Sequence, residues 1–239
     1  MNTDVVIPAA GLGSRMGEYT QNQPKCLVEL DDHTLLEHQL TSLTDFGIPR
    51  SSIHVVIGAK GECWTQSAYE RIRSIHDNVI INFENTTKGP GFSVKLGLER
   101  ITSNSVMILD GDIILVDEVL TTLLESDHSA VVSKLANDRA EPGSKVVTDE
   151  SNSVIDMGKE INPESFPWNI YSGICKLTGE ELSIANSYFN QSDSEEQSIC
   201  DMIRYVSSTG TVYNKEFNWG WENVNRPEEL TNAQEVGQR

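Results

Sequence analysis

Apolar runs alternate with amphipathic segments through the first 130 residues. The runs are 4–5 residues long and predict strands over 4–8, 53–57, 79–83 and 105–109. Between and after them, apolar side chains recur at helical spacing, which predicts helices over 34–46, 62–75, 91–101 and 116–125. Strands too apolar to alternate with polar residues, separated by helices, are typical of a parallel sheet covered on both faces.

The pattern changes after about residue 130. Shorter strands are predicted over 130–134, 145–148, 154–157, 169–176, 211–213 and 219–224. Helices are predicted over 180–190 and 196–206, with a last one starting at Pro227. We expect an α/β fold: a Rossmann-like, mostly parallel sheet with helices on both faces and a β-rich insertion in the second half.

No internal repeat and no low-complexity linker divides the chain. We therefore expect one domain over residues 1–239. Its core would be 1–130 together with 210–239, and 131–209 would be an elaboration of that core.

The charge balance is strongly acidic. The 239 residues include 18 Lys and Arg against 36 Asp and Glu, for a formal net charge of −18. That argues against a nucleic-acid binder, which must neutralise phosphates, and against docking on an anionic bilayer. The longest apolar stretch, Val106–Leu120, carries four acids, so it does not predict a membrane span. With no basic and apolar leader at the start and four scattered cysteines, we expect a cytoplasmic protein with reduced thiols.

A glycine-rich turn follows the first predicted strand. Small residues there let backbone N–H groups approach an anion closely, and we expect nucleotide contacts from Ala9, Ala10, Gly11 and Gly13. Arg15 adds a planar guanidinium suited to phosphate oxygens. A nicotinamide-dinucleotide turn is the competing interpretation, but Met16 takes the place of its third glycine and Pro24 interrupts the helix it requires.

The string Ala-Ala-Gly-x-Gly-x-Arg-Met-Gly over residues 9–17, followed by Pro24-Lys25 and a short apolar run, resembles the nucleotidyltransferase superfamily. This group includes sugar-1-phosphate nucleotidyltransferases and cytidylyltransferases that act on small phosphorylated alcohols or phosphonates. The resemblance implies that Arg15 and Lys25 are catalytic, binding the triphosphate and stabilising the reacting phosphorus.

Two further segments are similar to the family's metal-binding positions. Asp110-Gly111-Asp112 follows a buried strand, and the resemblance puts Mg²⁺ on Asp112, with Asp110 supporting nucleotide binding. Near the end of the chain, Asn225 occupies the place where many relatives have an aspartate. N-acetylglucosamine-1-phosphate uridylyltransferases instead have Val-Asn there, so the resemblance implies that the Asn225 amide oxygen is the second ligand.

Weaker similarities point to the remaining contacts. Residues 86–93 lie where relatives have a glycine loop that contacts the nucleobase, and Gly91 is the expected nucleotide contact. Gly158-Lys159 and Tyr171-Ser172-Gly173-Ile174 are similar to a pattern in small-alcohol and phosphonate cytidylyltransferases. That similarity implies that Lys159, Tyr171 and Gly173 bind the acceptor.

The implied reaction is Mg²⁺-dependent transfer of a nucleoside monophosphate from an NTP, with release of pyrophosphate. The acceptor-side motifs favour CTP and a small phosphorylated or phosphonylated alcohol. A uridylyl- or thymidylyltransferase acting on a sugar 1-phosphate remains the alternative. A nucleotide-binding regulatory homologue without turnover is the alternative from another class. The oligomeric state is open, with a homodimer compatible with the sequence.

Overall fold

The computed structural model describes residues 3–137, 142–161, 168–191 and 197–237. Its strands are β1 Asp4–Pro8, β2 Glu29–Leu30, β3 His33–Thr34, β4 Ile53–Gly58, β5 Val79–Asn82, β6 Ser105–Leu109, β7 Ile113–Leu115, β8 Ala130–Leu135, β9 Lys145–Thr148, β10 Val154–Gly158, β11 Asn169–Thr178, β12 Tyr213–Glu216 and β13 Trp221–Asn223. Its α-helices are α1 Leu35–Asp45, α2 Gln66–Ile75, α3 Pro90–Leu98, α4 Asp117–Glu125, α5 Gly179–Gln191, α6 Ile199–Ser207 and α7 Glu229–Gly237.

One large sheet organises these elements, in the strand order β10-β9-β11-β6-β1-β4-β5. Strand β1 pairs in parallel with β4 and β6, and β4 pairs in parallel with β5. Strand β11 joins β6 antiparallel and also pairs with β8, which in turn pairs with β12. The strands of the second half thus extend the sheet of the first half. The expected Rossmann-like α/β fold, with extra strands contributed by the second half, is confirmed.

Both faces of the sheet are buried, which explains why apolar and polar residues do not alternate along β1. Val5 and Ile7 pack into an apolar cluster formed with α1, α2 and α4. Val6 points to the opposite face and packs with side chains of α3, α5 and α6. All three residues are fully buried, as expected for a strand covered by helices on both sides.

Several predicted boundaries differ from the structure. The helix predicted over 62–75 begins at Gln66, because Thr65 Oγ1 accepts the Ala68 N–H and so caps the helix there. Strand β7 was not expected, and the strand predicted over 211–213 lies at Tyr213–Glu216. The helix predicted over 196–206 begins at Ile199, and residue 196 lies outside the described residues.

A small antiparallel pair outside the main sheet brings distant parts of the chain together. Strand β13 pairs with β7, with Asn223 opposite Ile113. Just beyond this pair, the Val224 N–H donates to the Asp112 carbonyl oxygen at 2.8 Å. The chain after β13 is therefore fixed beside the turn that follows β6. Among the described residues, no helix has the length and apolar character needed to cross a bilayer.

Candidate active site

A cavity of about 390 Å³ opens at the carboxyl ends of the parallel strands. Ligands of open α/β sheets bind at this edge, at the point where the strand order reverses. Its wall includes the turn after β1, the turn after β6, the end of β5 and the start of α3. The lining residues are Pro8, Ala9, Ala10, Gly11, Gly13, Ser14, Arg15, Lys25, Cys26, Asn82, Asn85, Lys88, Gly89, Pro90, Ser93, Asp110, Gly111, Asp112 and Asn225.

Four of the expected site residues meet at one end of this cavity. Lys25 Nζ lies 2.5 Å from Asp112 Oδ2 and 3.2 Å from Asn225 Oδ1. Arg15 Nη2 donates to the same Asn225 oxygen at 2.6 Å. The Lys25 and Asp112 side chains are only 14% and 20% exposed, so water screens their charges poorly. Residues 210 positions apart in sequence therefore form one charged cluster.

Two glycines let the loops of the site approach each other. Gly13 has a φ of +64°, a conformation that L side chains rarely adopt, and its carbonyl oxygen accepts a hydrogen bond from Thr20 Oγ1. Gly111 lies directly against the turn after β1, where a Cβ would come within 2.7 Å of the Ala9 Cβ. A larger residue at either position would displace the loops that hold Arg15 and Asp112.

The turn after β6 is held from behind by a buried amide. Gln39 of α1 is 2% exposed, and its Nε2 donates to the carbonyl oxygens of Asp110 and Ile113 at 2.8 and 2.9 Å. On the other side, the Asp110 N–H donates to the Gly173 carbonyl oxygen at 3.0 Å. The turn that carries Asp112 is thus anchored to both a helix and a neighbouring strand.

The Asp110 carboxyl has an unusual protonation equilibrium. Its burial, together with the nearby charge of Asp112, raises its pKa to about 8 against the lowering effect of Lys25 and Lys159. Gly173, with a φ of +93°, lies against this carboxyl group, since a Cβ there would be 2.7 Å from Asp110 Oδ2. Gly173 therefore contributes by leaving room for Asp110.

The donor set suits a hard divalent cation. Asp112 Oδ1 is buried and accepts no hydrogen bond from any described residue. Its carboxylate and the Asn225 amide oxygen are already within reach of one side chain, the ammonium of Lys25. Oxygen ligands of this kind, completed by phosphates and water, fit Mg²⁺. Among the described residues, no group of three or more His, Cys, Asp or Glu side chains could bind a metal by itself.

Four expected contact residues lie outside the cavity wall: Gly173, described above, and Gly91, Lys159 and Tyr171. Gly91 is buried in the first turn of α3, and its N–H donates to the Gln197 carbonyl oxygen at 2.9 Å. Its neighbours Gly89 and Pro90 line the cavity in its place. Lys159 is exposed and Tyr171 is half-buried, with burial raising the pKa of the Tyr171 hydroxyl well above its usual value. Their roles stay predictions.

The structure adds cavity residues that sequence reasoning did not single out. The most informative are Asn82, Asn85, Lys88 and Ser93. Lys88 belongs to the glycine-containing loop over 86–93, so its position in that loop was the one available signal. Asn82 ends an apolar strand, and nothing in the local sequence distinguishes a buried asparagine from a surface one.

Known proteins resemble the chain over most of its length. The bifunctional protein GlmU of Methanococcus maripaludis is 23% identical over 233 residues, covering 96% of this chain and 53% of that protein. The chain thus spans about half the length of such curated relatives. The CMP-5'-(3-aminopropyl)phosphonate synthase of Streptomyces rubellomurinus is 28% identical over 128 residues, covering 54% of this chain and 20% of that protein.

Among solved structures, the CTP:phosphocholine cytidylyltransferase LicC of Streptococcus pneumoniae superposes with a TM-score of 0.78. The superposition covers 99% of both chains at 18% identity, and it shows that the two share a fold. A MobA-like NTP transferase domain matches residues 5–167. That range holds the glycine-rich turn, Lys25 and Asp112, and it exceeds half of the chain. The chain therefore belongs to the family of MobA-like NTP transferase domains.

Proposed function

We propose that this protein is a divalent-metal-dependent nucleotidyltransferase, built as a single domain over residues 1–239. It transfers a nucleoside monophosphate from an NTP to a small phosphorylated or phosphonylated alcohol and releases pyrophosphate. The observation that carries the proposal is the contact cluster of Arg15, Lys25, Asp112 and Asn225 at one end of a nucleotide-sized cavity.

The chemistry needs charge control and little proton transfer. An anionic phosphate or phosphonate oxygen of the acceptor attacks the α-phosphorus of the NTP and forms a new P–O bond. The bond from the α-phosphorus to the oxygen that bridges the α- and β-phosphates breaks, and pyrophosphate leaves with that electron pair. Because the nucleophile is already an anion, no general base is required. Catalysis rests on alignment and on electrostatic stabilisation, as in other phosphoryl transfers.

Residues of the cavity wall would supply both the alignment and the electrostatic stabilisation. The turn over Ala9–Gly13 places backbone N–H groups where a triphosphate would lie. Arg15 and Lys25 offset the charge at the α-phosphorus and on the departing pyrophosphate. Asp112 and Asn225 would hold Mg²⁺, which when bound supplies positive charge between the two anionic substrates. Losing Arg15 or Lys25 should slow turnover by roughly 10²- to 10³-fold, by analogy with other electrostatic stabilisers.

For the substrates, we propose CTP and an acceptor bound by the elaboration over residues 131–209, with Lys159, Tyr171 and Gly173 on the acceptor side. LicC is named for CTP and phosphocholine, and the Streptomyces relative is named for a CMP-linked aminopropylphosphonate. Lys159 is exposed, and its charge acts on the Asp110 carboxyl of the cavity. An exposed cation near the cavity suits a phosphate or phosphonate group.

A sugar-1-phosphate nucleotidyltransferase is the second candidate. The match to the GlmU protein extends over 96% of the chain, whereas the match to the phosphonate synthase covers 54%. The metal-site asparagine, Asn225 after Val224, is the pattern that the sequence shares with N-acetylglucosamine-1-phosphate uridylyltransferases.

The test is a matrix of substrates with released pyrophosphate as the readout. Each of CTP, UTP, ATP and GTP is combined with phosphocholine, 2-aminoethylphosphonate, 2-hydroxyethylphosphonate, glucose 1-phosphate and N-acetylglucosamine 1-phosphate in the presence of Mg²⁺. We expect the fastest release with CTP and one of the first three acceptors. Faster release with a sugar 1-phosphate would support the second candidate. Tight nucleotide binding without release from any pair would indicate a regulatory protein.

A further inference from the structure

Strand β5 forms an open edge of the main sheet. It pairs in parallel with β4 on one side, and no strand of the described residues pairs with its other side. The carbonyl oxygens of Asn78 and Asn82 accept the N–H groups of Val55 and Ala59 at 3.1 and 3.0 Å. Every second residue from Asn78 onward therefore directs its carbonyl group toward β4.

The intervening residues direct their backbone groups to the open side. The C=O and N–H groups of a trans peptide unit point in opposite directions, so the N–H groups of Ile81 and Phe83 point away from β4. The carbonyl groups of Val79 and Ile81 point the same way. The Val79 N–H already donates to the Asp77 carbonyl oxygen at 3.0 Å. The other four groups, two donors and two acceptors, have no hydrogen-bond partner among the described residues.

Two other strands with a free side carry features that discourage pairing with another chain. Strand β10 contains Asp156 and has an irregular register with β9. Strand β12 contains Lys215 and Glu216. In contrast, β5 contains no charged residue and no proline, and its register with β4 is regular. Charges, prolines and bulges are the usual protection of an edge strand, and β5 has none of them.

The side chains at this edge are apolar and partly open to solvent. Val79, Ile80 and Ile81 are half-buried, whereas the three central residues of β1 are fully buried. Phe83, directly after the strand, is 64% exposed, which is the largest exposed fraction of any large hydrophobic side chain in the described ranges. The edge thus combines unpaired backbone groups with an exposed aromatic ring.

We propose that β5 pairs antiparallel with β5 of a second copy of this chain, about a two-fold axis at Ile81. The Ile81 N–H then donates to the carbonyl oxygen of the partner's Ile81, and the Phe83 N–H donates to that of the partner's Val79. The axis repeats both bonds, so all four outward groups of each copy are satisfied. Phe83 faces the partner's Val79, an aromatic and β-branched pair that favours strand pairing.

The local charge favours a second copy at this surface. Residues 66–98 include β5 and the helices α2 and α3, which pack on opposite faces of the sheet beside it. This range contains four Lys and Arg against three Asp and Glu, whereas the whole chain has a net charge of −18. Repulsion between two acidic copies is therefore weakest here. Because the interface is isologous, association stops at the dimer.

The experiment measures the mass of the full chain by sedimentation equilibrium, from low micromolar to near-millimolar protein. The variants are Ile81→Pro and Phe83→Lys. Proline at position 81 removes an N–H that points away from β4, so the single chain loses no ladder hydrogen bond. Ile155→Lys is the matched control, because Ile155 is 59% exposed and lies on β10. Urea unfolding verifies that each variant is folded.

We expect wild-type protein to reach twice the mass of the chain and no more. Ile81→Pro and Phe83→Lys should each raise the dissociation constant of the dimer by roughly 10-fold or more, because each change acts twice across the axis. Ile155→Lys should leave it unchanged. In the wild-type dimer, amide hydrogen exchange followed by NMR should be slower at Ile81 and Phe83 than in diluted, monomeric protein.

Three results would overturn the proposal. They are a wild-type monomer at every concentration, a mass that grows beyond the dimer, and a dimer that neither Ile81→Pro nor Phe83→Lys weakens. Self-association needs no substrate, so each of these results leaves the proposed function untouched.

Discussion

Lys25 contacts both of the oxygens that we propose as metal ligands. Its ammonium lies 2.5 Å from Asp112 Oδ2 and also donates to Asn225 Oδ1. Removing one partner of a largely buried ion pair is unfavourable, because the charge of the other partner is left uncompensated. At the proposed metal site, Lys25 and a divalent cation would therefore compete for the same carboxylate.

This competition predicts that Lys25→Met binds Mn²⁺ more tightly than wild-type protein when no nucleotide is present. Removing the ammonium frees Asp112 Oδ2 and leaves a negative charge for the metal to neutralise. Electron paramagnetic resonance of free Mn²⁺ measures the affinity directly, with Lys60→Met as the charge-matched control. Equal or weaker Mn²⁺ binding by Lys25→Met would show that Asp112 is not a metal ligand.

At the scale of elements, helix α1 supports the turn between β6 and β7. Gln39 is the connection, since its amide donates to two carbonyl oxygens of that turn. These carbonyl groups belong to Asp110 and Ile113, on either side of Asp112. The position of the carboxylate in the cavity thus depends on a buried side chain from a helix outside the cavity wall.

Gln39→Leu is therefore expected to affect both stability and turnover. Leucine has a similar size but leaves both carbonyl oxygens without their donor, and each buried unsatisfied acceptor costs about 1–3 kcal/mol. We expect the free energy of unfolding in urea to fall by about 2 kcal/mol or more, and pyrophosphate release to fall in the protein that remains folded.

The matched control is Gln234→Leu, because Gln234 is partly exposed and its Nε2 donates to the exposed Asp31 carboxylate. That change should alter stability by less than about 0.5 kcal/mol. Equal effects from the two substitutions would contradict the anchoring role of Gln39.

The local hydrophobic pattern predicted the strands that are covered on both faces of the sheet. It failed for a strand whose pairing partner is distant in sequence. The fully apolar run at Val5–Ile7 identified β1 as a central strand, and the glycine-rich turn after it predicted the cavity's position. Strand β7 was hidden within the apolar stretch Val106–Leu120, because its pairing with β13, over 100 residues later, is what distinguishes it.

The candidate site likewise contains residues that a local motif identifies and residues that only the tertiary structure identifies. Lys25, Asp112 and Asn225 were identified by the resemblance of their motifs, and the structure brings them into contact. Gln39 acts through tertiary neighbours that no local motif encodes. A residue whose environment is formed by three separate elements cannot be recognised from its own sequence window.

At the scale of the whole molecule, burial of neutral histidines makes stability depend on pH. His54 and His76 are 7% and 2% exposed, and burial lowers the pKa of each below its ordinary value of 6.5. His76 Nε2 bonds to the Ile53 carbonyl oxygen, and His54 Nδ1 bonds to the Asn78 amide. Both rings are therefore neutral in the folded chain near neutral pH.

This environment predicts that the contribution of the two histidines to stability falls as the pH drops below about 6.5, whereas the raised pKa of Asp110, about 8, acts in the opposite direction. The unfolded chain then binds protons that the folded chain excludes, so the contribution of each histidine is complete above pH 6.5 and is lost below it, by at most about 1.4 kcal/mol per pH unit. Urea unfolding of wild-type protein and His76→Gln between about pH 7.5 and pH 5.5 tests this. The stability of the wild-type protein should fall relative to that of the variant as the pH drops, and a constant difference between the two curves would contradict the assignment.

The central claim is that an oxygen ligand from one segment and cations from another act on a single α-phosphorus. The most direct measurement is pyrophosphate release by Asp112→Ala against wild-type protein, with the best substrate pair and saturating Mg²⁺. Asp32→Ala, an exposed acid of equal charge, is the control. The account predicts a loss of roughly 10²-fold or more for Asp112→Ala and near-normal release for Asp32→Ala. Near wild-type release by Asp112→Ala would contradict it.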